Sequence, residues 1–463
     1  MKTMTRNKII IYNVTSVLTT IIIGFISGPI VSKALGTDNY GVTVVFDTLV
    51  QFFIIVFPIS LYSSISLAKL NYSDKEQLQF RSCILFLSLL IYASLGLITS
   101  AICWFNDGII GVNLLTLIAA LICGWGCYSR SFIETIFIYD FKAKNNFLIS
   151  LIYTVIAFFS VVIFILVLPK EINYWSKILS SLVLNLFFSI WVLHYVIKKG
   201  KKLVNTEYWK FAISVSSPIV IHLFSCYLLD KSDTIMIKYY LEDSKVGIYG
   251  LTFTFCFFLK SIWVALNNSW NPFFVEYLKN PNDGELKKHI YNYLELYTIM
   301  CVGFILLAKD VFCIYASNDF WEGIYLIPIF VLKVFFDFLY TFPANYEFYY
   351  KKTKIIAIWT VASSILNIVL NYILIPVYGM FGAVFASMIS MLCCFLLNWV
   401  YAKNNRNFII PFGFKTFVPW IMLMIITCVA FYCLVDYIII RWMISAVLGI
   451  YILIKIIKRK EII

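Results

Sequence analysis

Phe147-Leu148-Ile149-Ser150-Leu151-Ile152-Tyr153-Thr154-Val155-Ile156-Ala157-Phe158-Phe159-Ser160-Val161-Val162-Ile163-Phe164-Ile165-Leu166-Val167-Leu168 runs without one charged side chain until Pro169-Lys170-Glu171 closes it. A hydrocarbon core about 30 Å thick is crossed by about 20 helical residues. No water satisfies the backbone in that layer, so only helices or closed barrels persist there. The run is too long and too continuously apolar for a barrel strand, and it reads as a transmembrane helix. Runs of this kind recur at roughly 9–31, 41–67, 83–104, 112–138, 147–168, 175–197, 211–230, 247–272, 290–308, 324–346, 355–376, 380–401, 416–435 and 438–457. About fourteen spans joined by short polar loops make this an all-α polytopic membrane protein.

Composition excludes the other classes. The chain is 62% hydrophobic and 13% charged, against about 45–50% and 25% for a soluble domain. The longest loops, around Lys198–Lys210, Pro281–Lys288 and Ala402–Lys415, are too short to fold alone. The net charge of +13 is scattered over many loops, which argues against a nucleic-acid surface. Most of the twelve cysteines lie in apolar runs (Cys123, Cys127, Cys226, Cys256, Cys301, Cys393, Cys394, Cys428), where a free thiol packs as a small hydrophobe. No CxxC pair or Cys/His cluster suggests a metal. The basic start, Met1-Lys2-Thr3-Met4-Thr5-Arg6-Asn7-Lys8, leads into an apolar run past Ile30, longer than a cleaved signal peptide requires. It reads as a retained first span.

Lys and Arg set the orientation. With the N-terminus in the cytoplasm, the inner segments hold 26 Lys/Arg and the outer ones 8, with Arg130, Lys260 and Lys333 left inside spans. The strongest anchors are Lys198, Lys199, Lys201, Lys202 and the tail Lys455, Lys458, Arg459, Lys460, so both termini are expected in the cytoplasm. A short repeat points to two halves. Leu35-Gly36-Thr37-Asp38-Asn39-Tyr40-Gly41-Val42 and Leu241-Glu242-Asp243-Ser244-Lys245-Val246-Gly247-Ile248 share leucine, glycine and an aliphatic residue at one spacing, 206 residues apart. Six spans separate them, so the halves would be parallel repeats about an axis along the membrane normal. Pro58, Pro218, Pro272 and Pro343 lie in or near spans, where proline frees a carbonyl and kinks the helix.

Ionisable residues at bilayer depth cost about 2.5–3.5 kcal/mol each on insertion scales and usually face protein or water. Lys260 and Lys333 are central to spans eight and ten, with Asp337 one turn beyond Lys333. Arg130 lies in the inner half of span four, with Glu134 one turn on, and Asp47 in the outer third of span two. Asp230, Lys231 and Asp233 are expected to end span seven at the interface, and His222 lies within it. Lys333/Asp337 and Arg130/Glu134 are i,i+4 spacings that allow pairing on one helix. Lys260 has no acid three or four positions away, so its counter-charge must come from another helix or a ligand. Three central cations suit an anionic cargo, because Arg and Lys hold phosphate. No Walker A, GxSxG, HExxH or DxD signature occurs, and no catalytic residue or metal ligand is assigned.

Four stretches carry a family resemblance. Ala34-Leu35-Gly36-Thr37-Asp38-Asn39-Tyr40-Gly41 is similar to a Leu-Gly…Tyr-Gly turn. Leu229-Asp230-Lys231-Ser232-Asp233-Thr234-Ile235-Met236-Ile237 followed by Val246-Gly247-Ile248-Tyr249 is similar to a second motif, and Trp270-Asn271-Pro272 to a third. Asn367, Asn371, Ile375-Pro376, Gly379, Gly382-Ala383 and Ala386-Ser387 match the most specific one, a hairpin in which Pro376 is expected to end a helix. Together they resemble the Wzx-type polysaccharide or O-antigen flippases of the multidrug/oligosaccharidyl-lipid/polysaccharide (MOP) exporter superfamily.

That resemblance implies a MATE/MurJ-like fold with two pseudo-symmetric lobes around a central cavity: 1–200 with spans one to six, 201–410 with spans seven to twelve, and 411–463 with two more. It implies a transporter, not an enzyme, in a bacterial cytoplasmic (inner) membrane. The cargo would be an undecaprenyl-pyrophosphate-linked oligosaccharide flipped by alternating access for O-antigen, lipopolysaccharide or capsule synthesis. Arg130, Lys260 and Lys333 would bind it. Asp47, Glu134 and Asp337 would couple ions, and Asp230, Lys231 and Asp233 would gate or support the outer end. No cofactor is implied beyond a proton or sodium gradient, and partners would be a polymerase and a chain-length regulator. An ion-coupled multidrug antiporter and a lipid II flippase of the same superfamily are the alternatives. An O-antigen polymerase would need a long outer loop that the chain lacks.

Overall fold

The computed structural model describes residues 6–109, 111–279, 283–405, 408 and 410–459. Lys2, residues 280–282 of the predicted inner loop, Arg406 and the tail residue Lys460 lie outside the described residues. Helix α1 (Arg6–Val56) holds the first two predicted spans, and Gly36 interrupts it with φ 70° and ψ 177°. Only glycine adopts that backbone conformation without strain. At Pro58 the expected bend is an outright break. The helix stops at Val56, Ile59 and Ser60 take positive φ, a 3-10 turn follows, and α2 (Ile65–Asn71) completes the second span.

The remaining spans are single helices: α3 (Asp74–Phe105), α4 (Leu114–Tyr139), α5 (Ala143–Val167), α6 (Trp175–Gly200), α7 (Thr206–Tyr240), α8 (Asp243–Lys279), α9 (Asp283–Tyr315), α10 (Ile327–Tyr349), α11 (Thr353–Tyr378), α12 (Met380–Asn404), α13 (Val418–Leu434) and α14 (Ile438–Arg459). The starts of α3, α4 and α7 follow capping rules. A Ser73/Glu76 capping box opens α3, and the Asn113 and Asn205 side chains accept from backbone N–H groups at the starts of α4 and α7, which satisfies orphan donors. Several helices overrun their predicted spans. Pro376 does not end its helix, since α11 continues to Tyr378 and the turn is made at Gly379. A proline in the last turn removes only one N–H, and the helix tolerates it where so few bonds remain.

The chain divides into two compact units, Met1–Gly247 and Ile248–Ile463. In the first, α1 packs on α4, α5 and α7, and α6 packs on α3 and α4. The two halves of the short repeat meet there. A Cβ added to Gly41 would strike the Asp243 carbonyl, and one added to Gly247 would strike the Thr37 carbonyl. Thr37 and Asp243 are themselves separated by the repeat distance, so the contact is reciprocal in the manner of an isologous interface. Absence of Cβ on both sides is what permits two backbones to come so close.

In the second unit, α9 packs on α13 and α14, and α12 packs on α10 and α11. Polar groups fix helix pairs whose apolar faces alone would slide. Asn371 Nδ2 donates to Asn367 Oδ1 at 3.1 Å, and Asn367 Nδ2 donates to Ser387 Oγ at 3.4 Å across the hairpin. Each interhelical hydrogen bond in lipid contributes about 0.6 kcal/mol. Asp310 on α9 receives Arg441 and Trp442 of α14 at 2.9 and 3.0 Å. Glu295, also on α9, receives Tyr451 at 2.6 Å and Lys455.

Candidate functional site

Apart from Asp230, Lys231 and Asp233, the charged side chains singled out in the sequence fall into three described groups. In the first unit, Arg130 and Glu134 share a face of α4, and Arg130 Nε lies 3.6 Å from Glu134 Oε1. That is an electrostatic contact rather than a hydrogen bond. The guanidinium carbon sits 4.2 Å from the centroid of the Tyr153 ring on α5, a cation–π geometry. The Tyr153 hydroxyl donates to Asn185 Oδ1 of α6 at 3.2 Å, and Cys127 Sγ donates to the same oxygen at 3.4 Å. Gly126 allows this meeting, because a Cβ there would collide with Asn185. The result is one cation over an aromatic ring, within a cluster of groups from three helices.

The second group is also in the first unit. Asp47 on α1 pairs with Lys177 on α6 at 2.5 Å, and Lys177 lies 5.7 Å from the Tyr40 ring. Asp47 is therefore not an isolated carboxylate but one half of a clasp between helices distant in sequence. Lys177 stands at the start of a predicted span, among the outer cations, and its role could not be read from its own neighbours.

The third group, in the second unit, joins α8 to α10. Lys260 Nζ lies 2.8 Å from Asp337 Oδ2, so the counter-charge that Lys260 required comes from another helix. The i,i+4 spacing of Lys333 and Asp337 also allows pairing along α10. Lys260 holds Asp337 because the side chain of α8 reaches across the helix packing. Lys333 is buried, 3% exposed, with Nζ 5.5 Å from the Phe253 ring. Phe253, Phe257 and Lys260 repeat at four and three residues and so share one face of α8. Two cations, one carboxylate and two aromatic rings converge there.

Asp230, Lys231 and Asp233 do not end their helix. α7 continues to Tyr240, Asp233 is 2% exposed, and all three residues are engaged in contacts. His222 lies on the same helix, 3.7 Å from Cys226 Sγ. A further carboxyl escaped the sequence reading. Glu347, near the end of α10, is 0% exposed, and neither carboxyl oxygen has a hydrogen-bond partner among the described residues. It stands one residue beyond a predicted span, amid Tyr346, Phe348 and Tyr349, and no charge spacing marked it. Among the described residues no group of His, Cys, Asp and Glu is arranged to hold a metal.

Residues 7–278 match the family model described as polysaccharide biosynthesis protein. The Haemophilus influenzae "Lsg locus putative protein 1" is 24% identical over 203 residues, which is 42% of this chain and 50% of that protein. A Haemophilus influenzae protein described as an uncharacterized membrane protein is 24% identical over 200 residues, 41% of this chain and 49% of that one. The chain spans about half the length of these relatives. Among solved structures, the lipid II flippase MurJ in an inward closed conformation superposes with a TM-score of 0.75 at 17% identity, over 97% of this chain and 99% of that one. The Vibrio cholerae MATE transporter VcmN superposes with a TM-score of 0.57 at 12% identity, over 86% and 96%. At these identities the likeness is one of fold, and the fold is that of the MurJ and MATE transporters.

Proposed function

The chain belongs to the polysaccharide biosynthesis protein family, within the MOP exporters, and on that premise we propose that this transporter moves a polyprenyl-pyrophosphate-linked oligosaccharide from one leaflet of the membrane to the other. Arg130 in the first unit, and Lys260 and Lys333 in the second, are the proposed ligands of the acidic headgroup. The observation that carries the reading is Lys333, a cation buried at mid-helix against an aromatic ring. Such a residue costs free energy in a bilayer and is retained where an anion needs it. Asp337 and Glu134 each stand beside one of these cations. Their proposed role is to hold the cation in place when cargo is absent and to exchange an ion when it binds. Asp47 couples through its clasp with Lys177, and the Asp230/Lys231/Asp233 segment supports the far end of α7. The expected setting is a bacterial inner membrane with both termini in the cytoplasm, on the Lys/Arg distribution.

A second reading has support of its own. Lipid II also carries a pyrophosphate between a polyprenyl tail and a saccharide, and the extensive superposition is with a lipid II flippase. The two readings share the headgroup chemistry and differ in the sugar. Deleting the gene and assaying the leaflet distribution of lipid-linked saccharides separates them. Accumulation of an oligosaccharide repeat unit on the cytoplasmic side supports the first, and rescue of a strain depleted of its lipid II flippase supports the second. Lys260→Ala and Lys333→Ala are expected to abolish glycan display while the protein stays in the membrane. Full display in both would remove them as ligands.

A further inference from the structure

At one end of the first unit, α4 stops at Tyr139, and Phe141 turns the chain with φ 57° before α5 begins. Asp140 sits in that turn. Arg81, on α3 and buried, grips it with two hydrogen bonds, Nη2 to Oδ1 at 2.7 Å and Nη1 to Oδ2 at 3.1 Å. Lys142 Nζ lies 3.3 Å from the same carboxylate. Burial opposes ionisation of Asp140, but the hydrogen bonds and charge of Arg81, with Lys142 beside them, outweigh it and hold the carboxyl below its usual range. Lys199 enters from α6, its Nζ 2.6 Å from the Tyr195 hydroxyl and 3.9 Å from the ring centroid.

Between these groups lies a recess of about 40 Å³ whose lining includes Leu78, Arg81, Asp140, Lys142, Tyr195 and Lys199. Three cations face one carboxylate, so the recess keeps an excess of two positive charges. Arg81 Nε is buried with no hydrogen-bond partner among the described residues, although Asp140 occupies the other face of the guanidinium. Leu67, Leu70, Ile138 and Phe141 are exposed, and Lys69, on the same short helix as Leu67 and Leu70, bonds the Tyr139 carbonyl with its ammonium over the Phe141 ring. Apolar side chains beside a cationic notch are what a membrane surface presents to a phospholipid. The recess is open and has room for the oxygens of a phosphate.

We propose that this recess is a binding site for the phosphate of an anionic phospholipid, with Lys142 and Lys199 as its principal ligands and the acyl chains lying on the exposed apolar flank. Basic recesses between transmembrane helices recognise lipid headgroups in this way. Arg81 and Asp140 set the shape of the notch, and the two lysines supply the charge that Asp140 leaves uncompensated. The assignment is separate from the cargo site, and it requires only that this end of the unit lies at a membrane surface.

Native mass spectrometry of the purified full chain tests it, with phosphatidylglycerol and phosphatidylcholine supplied in equal amounts. Wild type is expected to retain phosphatidylglycerol preferentially. Lys142→Gln with Lys199→Gln should reduce that preference by about five-fold for each lysine lost, while the Lys142→Arg, Lys199→Arg protein keeps it. Equal retention of the two lipids by wild type, or an unchanged preference in the glutamine protein, overturns the proposal. Displacement of the lipid by excess inorganic phosphate would assign the recess to free anions and overturn the lipid identity.

Discussion

Removing one member of the Lys260–Asp337 pair should be worse than removing both. The ammonium and carboxylate are 2.8 Å apart, with side chains 19% and 13% exposed. At an effective dielectric of about 20, two unit charges at that distance attract by about 6 kcal/mol. Most of this is offset by the cost of taking both groups from water, so the intact pair contributes little net stability. Loss of one partner leaves the other without its counter-charge at 2.8 Å, at a cost of up to about 3–5 kcal/mol. Lys260→Met and Asp337→Leu alone should therefore each lower the thermal unfolding midpoint of the purified protein in mild detergent, read by tryptophan fluorescence. Lys260→Met with Asp337→Leu replaces the pair by apolar groups of similar size and should recover most of the loss. The coupling between the positions is expected at about 2 kcal/mol. Two benign single variants, or a double variant equal to the sum of the singles, would refute the reasoning.

Three further outcomes follow from the same structure. Gly41→Ala and Gly247→Ala should each destabilise by about 1–3 kcal/mol or more, because the added methyl meets a backbone carbonyl that cannot move aside. Gly24→Ala, in open space, should be neutral in the same melting assay. Asp140, held below its usual range, contributes stability that is fully present above the ordinary carboxylate value near ~4 and is lost as pH falls through its lowered value. Melting curves from neutral pH downward should show this loss in wild type and not in Asp140→Asn. Glu347→Met should raise stability by about 1–3 kcal/mol, since it removes a carboxyl buried without a hydrogen-bond partner among the described residues. A lower melting temperature would show that the carboxyl has a partner.

The helical layout was legible because the bilayer imposes one rule on the whole chain. Every span must be long and apolar, and short polar loops mark each return. Pairings along a helix were partly legible. Arg130 and Glu134 meet as their spacing allows, while Lys260 of α8, the partner of Asp337, carried no mark in local spacing. Partners brought together by tertiary folding leave no local mark, so Lys177 could not be matched to Asp47, nor Arg441 to Asp310. The segment Asp230–Asp233 was expected at the end of a span, and the helix runs on past it to Tyr240. The repeat around Gly41 and Gly247 could be read as a pattern, while the reciprocal contact between its halves could not.

The most direct measurement uses purified protein in sealed vesicles that carry a labelled polyprenyl-pyrophosphate oligosaccharide in the inner leaflet, with an impermeant reagent outside that reacts with the sugar. Wild type should make that inner pool reactive, and the Lys333→Ala protein, inserted to the same level, should leave it protected. Protection of the inner pool with active wild-type protein and a competent ion gradient would contradict the account.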